Sequence, residues 1–261
     1  MKNYLIYYLF ITLSIIVNSC NEGFKDEPIK YSYSDDSSGS GVFLLVGHSG
    51  TILKSTDNGV SFSTVTSGTS SNIRGVGFGN KTFVLVGASG TILSSTDYGA
   101  SFSTVTSPTS TNIQEITFGN NTFVAASGDG AIVRSTNNGS SFENVTSGTS
   151  RHMYGVTFGN NTFVVAAREG KIYTSPDGST WTLKDPPISD RLNNVAFGNN
   201  TFVAVGYVGK IIRSTDMGSN WSSVTSGTSR DINGVGFGNN TFVSVGASDG
   251  STGTILRSTD N

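Results

Sequence analysis

The tripeptide Phe-Gly-Asn returns at a nearly constant spacing along most of the chain, and this repeat constrains the fold more than any other feature. Its copies lie at 78–80, 118–120, 158–160, 197–199 and 237–239, so the spacings are 40, 40, 39 and 40 residues. A period near 40 with strand-like content is typical of propellers, in which each repeat forms a blade, a four-stranded sheet. The repeat therefore predicts an all-β fold, a β-propeller.

The second copy shows the four strands that one blade requires. Residues 72–78, 82–87, 91–95 and 101–107 are short runs in which apolar side chains alternate with others, as in half-buried strands. Gly and Asn fill the turns between them, because tight hairpins need residues that tolerate positive φ. The composition agrees with many short strands, since 33 residues are Gly, 5 are Pro and only 13% are charged.

The number of blades follows from four complete copies and two partial ones. The first copy begins with its second strand at 42–47, and the last stops before a fourth strand. Residues 29–34 alternate in polarity, so they could form the first strand of copy one or a closing strand on the last blade. We expect about six four-stranded blades across residues 42–261, and seven if the chain is a truncated piece of a longer propeller.

A second motif, the box turn, follows the third strand of each copy. It is "STDNGVSF" at 55–62, "STDYGASF" at 95–102, "STNNGSSF" at 135–142, "SPDGSTW" at 175–181 and "STDMGSNW" at 214–221, and "STDN" begins a sixth copy at 258. One residue of each copy can accept backbone N–H bonds within the turn. These residues are Asp57, Asp97, Asn137, Asp177, Asp216 and Asp260. The aromatic residues that follow can pack between blades. They are Phe62, Phe102, Phe142, Trp181 and Trp221.

The box turn resembles the Asp-box, also called the bacterial neuraminidase repeat. The shared pattern is Ser or Thr, any residue, Asp, then a Gly and an aromatic residue, and it recurs across residues 42–261. The resemblance implies that the motif joins the third and fourth strands of a blade. It also implies that the six copies serve the fold and do not bind a ligand.

The first 19 residues have the features of a bacterial targeting segment. Lys2 precedes an apolar run at 4–17 that is too short for a comfortable membrane span, and "VNSC" at 17–20 resembles a lipoprotein cleavage site. That resemblance implies cleavage before Cys20 and a lipid on this cysteine, the only one in the chain. We expect a signal peptide at 1–19, a tether and linker at 20–41, and a lipid-anchored protein of the cell envelope. Asn21 favours the outer membrane, either its periplasmic side or the cell surface. The alternative is an ordinary secretion signal.

Loops that differ between the copies separate a candidate site from the scaffold. In an up-and-down blade, the turn between strands two and three and the link to the next blade lie on one face, opposite the box turns. Arginine and aromatic residues concentrate in these segments, and such residues on a rigid scaffold are frequent interface anchors. The alternative is that these loop tips vary freely. The predicted binding face consists of Arg74, Arg151, His152, Tyr154, Arg168, Glu169, Arg191, Tyr207 and Arg230.

The same residues argue against several kinds of chemistry. A net charge of −2 gives no basic field for nucleic acid, and two histidines with one cysteine make no zinc site. The box turns lack the dense carboxylates of a calcium loop. Sialidases carry an arginine in a Phe/Tyr-Arg-Ile-Pro motif, which is absent here. We therefore predict no metal, no cofactor and no catalysis.

The repeats also resemble those of the photosystem II assembly factor family, which follow the pattern G-x-I-x-x-S-x-D-x-G-x-x-W. This resemblance implies a scaffold that holds another protein, here an unknown partner in the envelope. The second hypothesis is a glycan-binding protein or a sialidase-like glycoside hydrolase, for which Tyr154 and Tyr207 offer the aromatic faces. A third hypothesis is a surface antigen with no single partner.

Overall fold

The computed structural model describes residues 30–35, 41–247 and 253–258. In these ranges the regular secondary structure consists of β-strands and short 3₁₀ turns. The strands form six antiparallel sheets, the blades of a β-propeller. The predicted all-β class and six-bladed architecture are therefore confirmed. The signal segment, Cys20 and Asp260 lie outside the described residues. Within those residues, no helix has the length and apolar character that a transmembrane helix requires.

The strands follow the order of the sequence, blade by blade. Blade 1 contains β1 (Lys30–Asp35), β2 (Gly41–Val46), β3 (Ile52–Ser55) and β4 (Ser63–Thr64). Blade 2 contains β5 (Ile73–Gly79), β6 (Thr82–Gly87), β7 (Ile92–Ser95) and β8 (Ser103–Thr104). Blade 3 contains β9 (Ile113–Gly119), β10 (Thr122–Ser127), β11 (Ile132–Ser135) and β12 (Glu143–Val145).

The remaining blades repeat this order. Blade 4 contains β13 (Met153–Gly159), β14 (Thr162–Ala167), β15 (Ile172–Ser175) and β16 (Thr182–Lys184). Blade 5 contains β17 (Leu192–Gly198), β18 (Thr201–Gly206), β19 (Ile211–Ser214) and β20 (Ser222–Val224). Blade 6 contains β21 (Ile232–Gly238), β22 (Thr241–Gly246) and β23 (Thr254–Ser258). Short 3₁₀ turns join strands two and three at His48–Gly50, Ala88–Gly90, Arg168–Gly170 and Tyr207–Gly209.

The first strand of blade 1 comes from the segment before the repeats. β1 pairs with β2 in antiparallel register, from Lys30 opposite Val46 to Asp35 opposite Gly41. Of the two alternatives for residues 29–34, the structure therefore shows the first strand of copy one. From blade 2 to blade 6, the first strands of successive blades pack against one another, so they form the inner layer of the propeller.

The Phe-Gly-Asn repeat has a specific packing role between successive blades, which its copy in blade 2 illustrates. In blade 2, the ring of Phe78 lies 4.6 Å from that of the fully buried Phe83. A Cβ on Gly79 would lie 2.1 Å from the ring of Phe118 in blade 3, so this position has room only for glycine. Asn80 has a φ of 48°, a backbone conformation that Asn tolerates in tight hairpins. The tripeptide thus contributes a core side chain, leaves space for an aromatic ring of the next blade and forms the turn.

The propeller has two faces with different loops. On one face, which we call the box-turn face, the Phe-Gly-Asn turns contact the box turns of later blades; Asn120 Nδ2, for example, donates to the Pro176 carbonyl at 3.3 Å. On the other, which we call the variable face, the turns between strands two and three bond to the blade links. There the backbone N–H of Tyr207 donates to the Arg191 carbonyl at 2.9 Å. The two loop classes lie apart, as the up-and-down topology requires.

Candidate functional site

The box turns are closed by their own side chains. Asp57 Oδ1 accepts hydrogen bonds from Ser55 Oγ at 2.6 Å and from the backbone N–H of Ser61 at 2.9 Å. The hydrogen bond from Ser55, followed by those from Ser61, lowers the pKa of Asp57 to about 2. In the box turn of blade 5, the backbone and side-chain bonds from Asn220 likewise lower the pKa of Asp216 to about 2. These carboxylates are engaged in hydrogen bonds within their own turns.

Asn137 takes the same position in blade 3. Its Oδ1 accepts from Ser135 Oγ at 2.9 Å and from the Ser141 backbone at 3.1 Å, and its Nδ2 donates to Ser141 Oγ at 2.7 Å. An amide can therefore close the turn without a charge. Because the acidic group is dispensable here, the geometry assigns these turns to the scaffold.

A β-bulge in the first strand of a blade sets the side chains of the variable face. In blade 2 the pairing register skips from Ile73 to Gly75, so Arg74 is left without an opposite residue. The same skip occurs at the equivalent position of the next four blades. β-bulges re-aim a side chain and are frequent beside functional sites. The five bulged residues are Arg74, Gln114, Tyr154, Asn193 and Asn233.

The bulged residues connect into a continuous arc across the blades. Arg74 Nη1 donates to Gln114 Oε1 at 3.3 Å, and Gln114 Nε2 lies 3.0 Å from His152 Nε2. At the other end of the arc, Asn193 Nδ2 lies 3.3 Å from Asn233 Oδ1 and donates to the Ile232 carbonyl at 2.8 Å. Each bond joins neighbouring blades, so the arc holds its side chains in place.

Aromatic and cationic groups stack at the centre of the arc. The rings of His152 and Tyr154 are stacked with centres 4.3 Å apart. The guanidinium carbon of Arg191 lies 4.7 Å from the ring centre of Tyr154 and 3.7 Å from that of Tyr207. Arg191 Nε also donates to Asn193 Oδ1 at 2.6 Å. These contacts hold a cation against two aromatic rings.

Positive charge surrounds His152. Burial lowers the pKa of its imidazole, and the charges of Arg168, Arg191 and Arg74 lower it further. Arg168 itself is exposed at the start of its 3₁₀ turn. A neutral imidazole can accept the hydrogen bond of Gln114 at Nε2, which is the arrangement that the contacts of the arc favour.

The predicted face is brought together only in part. Arg74, His152, Tyr154, Arg191 and Tyr207 meet in the arc, with Arg168 near His152. Arg151 and Glu169 form an ion pair with each other at 2.7 Å. Arg230 lies in the link to blade 6, where its backbone N–H donates to Thr228 Oγ1 at 3.1 Å.

Three members of the arc, Gln114, Asn193 and Asn233, are absent from the predicted face. They are polar, uncharged residues, whereas the predicted face rests on arginine and aromatic anchors. The available sequence signal was their position, since residues 74, 114, 154, 193 and 233 keep the spacing of the repeat while their chemistry changes.

The described residues contain no cluster of three or more His, Cys, Asp or Glu side chains that could hold a metal ion. The acidic groups near the variable face have partners close by. Asp190 forms an ion pair with Lys210 at 3.4 Å, and Asp231 accepts from the Val208 backbone at 2.9 Å. The chemistry that this face offers is cationic and aromatic recognition.

Comparison with known proteins supports the fold. No protein-family model matches the chain, and no curated protein sequence matches it. Among solved structures, YCF48 bound to a D1 peptide superposes with a TM-score of 0.67 at 21% identity, covering 84% of this chain and 74% of that one. YCF48 from Cyanidioschyzon merolae gives 0.65 at 17%, covering 86% and 81%.

A third similar structure is an enzyme. The GH74 xyloglucanase from Xanthomonas campestris superposes with a TM-score of 0.69 at 14% identity. The alignment covers 88% of this chain and 43% of that enzyme. Because all three identities are low, these similarities show the propeller fold and do not assign an activity.

Proposed function

We propose that this chain is a non-catalytic scaffold whose variable face binds an acidic segment of a partner protein. The observation that carries the proposal is the position of Arg191 between Tyr154 and Tyr207, held from the side by Asn193. A cation that is already ordered loses little conformational entropy when it binds a carboxylate. The exposed guanidinium of Arg168 adds a second positive charge nearby.

The similar structures support this class of function. YCF48, which shares the fold, is described in complex with a peptide. The arc of this chain offers the groups that peptide recognition uses, namely arginines for carboxylates and tyrosines for apolar contact. We further propose that the protein is an Asp-box propeller tethered to the bacterial envelope by a lipid on Cys20, with its partner in the same compartment.

Selection from a library of short random peptides tests the binding chemistry. Purified protein is expected to enrich acidic sequences. The double variant with Arg168→Ala and Arg191→Ala should lose that enrichment, because both cations are removed. The matched control is Arg134→Ala, since Arg134 pairs with Glu143 at 2.9 Å and lies beside Gly178 in a box turn. Equal enrichment by all three proteins would refute the proposal.

The second candidate function is glycan binding or hydrolysis, which the GH74 neighbour and the two tyrosines favour. Sugar rings bind on open aromatic faces, yet the guanidinium of Arg191 covers a face of both tyrosines. A glycan would therefore have to displace Arg191. A panel of fluorogenic glycosides together with a glycan array checks this candidate: turnover or saturable glycan binding would replace the scaffold proposal.

A further inference from the structure

Val208 has a backbone conformation that valine adopts rarely. It is the middle residue of the 3₁₀ turn Tyr207–Gly209, with a φ of 51° and a ψ of 39°. In this left-handed region a β-branched side chain is crowded by its own backbone, so the residue is an outlier. Residues held in such conformations cluster at functional sites. The position of Val208 therefore calls for a reason other than the turn itself.

The equivalent turns of the other blades have polar residues at this position. Ser49, Ser89 and Glu169 have φ values of 50°, 53° and 58° in the turns of blades 1, 2 and 4. Asp129 is the equivalent residue of blade 3. None of the four is β-branched, so the turn does not require valine. Among the turns that the structure describes, only that of blade 5 presents an apolar side chain here.

The core does not explain the valine either. Its side chain is 52% exposed. None of the apolar clusters formed by the described residues includes Val208. The residue thus adds apolar surface to the variable face and strain to the backbone, without packing in the core.

Val208 lies directly beside the arc. It follows Tyr207, whose ring centre is 3.7 Å from the guanidinium carbon of Arg191. Its backbone N–H donates to Asp231 Oδ1 at 2.9 Å, so a carboxylate lies next to the turn. That carboxylate repels an acidic group at Val208, whereas Arg191 and Arg168 attract one at the arc. The surface therefore changes from cationic at the arc to apolar at Val208.

The blade links show a second departure from the repeat at the same place. Asn72 Oδ1 accepts the backbone N–H of Ser49 at 2.9 Å, and Asn112 Oδ1 accepts the equivalent N–H of blade 2 at 3.0 Å. Asp231 does the same for blade 5. The equivalent residue of the link between blades 4 and 5 is Arg191, whose guanidinium has no acceptor. A cation and an exposed valine thus replace turn residues at neighbouring positions.

We propose that the variable face recognises an acidic segment that also carries an apolar residue. The acid binds at Arg168 and Arg191, and the apolar side chain packs on Val208, which determines specificity. This inference rests on the function proposed above and adds the second half of the ligand. The apolar residue should lie within about three positions of the acid, because Val208 adjoins the ring on which Arg191 stacks and an extended chain advances about 3.3 Å per residue.

Two libraries of seven-residue peptides test the inference. One has aspartate fixed at the centre, the other has asparagine there, and the three positions on either side are random. Wild-type protein should bind the aspartate library in preference to the asparagine library. It should also enrich leucine, isoleucine, valine or phenylalanine over serine at least about threefold at one or more flanking positions, as burial of about one methylene group predicts. Val208→Asn should lose the apolar enrichment and keep the preference for aspartate.

Val60→Asn is the matched control, since Val60 is an exposed valine in a box turn on the opposite face. This variant should select the same peptides as wild type. Unfolding in urea supplies a second readout for Val208→Asn, whose midpoint should rise because asparagine tolerates the left-handed backbone better than valine. A residue that serves the fold would give the opposite shift.

The outcomes separate this inference from the function on which it rests. A preference for aspartate without apolar enrichment, or equal apolar enrichment by wild type and Val208→Asn, would overturn the role of Val208 and leave the proposed function intact. A lower urea midpoint for Val208→Asn would assign the residue to the fold and also overturn its role. Equal binding of the two libraries by wild type would overturn both proposals.

Discussion

The guanidinium carbon of Arg191 lies 3.7 Å from the centre of the Tyr207 ring. Arg191 is in the blade link just before β17, and Tyr207 is in the 3₁₀ turn just after β18. A cation that sits this close to an aromatic face is attracted by the negative potential of the ring. The contact therefore orders the side chain that the proposed function requires, and its strength is measurable.

A double-mutant cycle of Arg191→Ala and Tyr207→Ala should give a coupling free energy of about 1 kcal/mol, the size expected of a cation–π pair. Urea unfolding of the four proteins provides the measurement. Tyr207→Phe keeps the ring and serves as the control, with nearly unchanged stability. A coupling energy within about 0.3 kcal/mol of zero would mean that the stacking contributes nothing.

Protonation of His152 should be disfavoured in the folded protein. Burial and the nearby Arg168, Arg191 and Arg74 lower its pKa, so NMR titration should give a midpoint below the ordinary value of about 6.5. Because the unfolded chain binds the proton more readily, this group should reduce stability as pH falls through about 6.5. Arg168→Ala should raise the midpoint. An unchanged midpoint would show that Arg168 does not act on the ring.

The box-turn carboxylates should make the fold sensitive to acid. The pKa of each of Asp57, Asp97, Asp177 and Asp216 is below the ordinary value, so the ionised forms stabilise the folded state. That stability is present above pH of about 4 and is lost as pH falls toward about 2. The fourfold Asp→Asn variant, which copies Asn137, should show a flatter dependence of its urea midpoint over this range. An equally steep dependence in the variant would contradict this role.

Two glycines with similar backbone conformations should respond differently to the same change. Gly139 has a φ of 76° and would place a Cβ 2.8 Å from Val84 Cγ2, whereas Gly148 has a φ of 78° and nothing within 4 Å. Gly148→Ala should cost about 1 kcal/mol of backbone strain. Gly139→Ala should lower the free energy of unfolding by the same amount and by about 1–3 kcal/mol more, because the added methyl group overpacks the interface between blades 2 and 3. Equal unfolding free energies for the two variants would mean that the interface between blades 2 and 3 accommodates the added methyl group without loss of stability.

The sequence predicted the scaffold well because the scaffold repeats. The spacing of Phe-Gly-Asn predicts blades of about 40 residues, and the box-turn pattern places Asp57 and its equivalents where they close turns. Even the first strand of blade 1 was among the alternatives, since residues 29–34 alternate in polarity. Which of its two positions the strand takes depends on pairing with β2, a tertiary contact that the pattern alone does not determine.

The arc was predicted less completely, because it depends on β-bulges. A bulge turns Gln114 and Asn193 toward neighbouring blades, and no local pattern distinguishes a bulged residue from one in regular register. The sequence also does not show which arginines form ion pairs and which stack on aromatic rings. Arg151 pairs with Glu169, whereas Arg191 stacks on tyrosines, although both arginines lie in equivalent blade links.

Capture of a partner from bacterial envelope extract tests the central claim most directly. Immobilised wild-type protein, the Arg168→Ala and Arg191→Ala double variant, and the Arg134→Ala control are compared by mass spectrometry of the bound proteins. A scaffold that uses the variable face should capture the same partner with wild type and control, and lose it with the double variant. Equal capture by all three proteins, or capture by none, would contradict the proposed function.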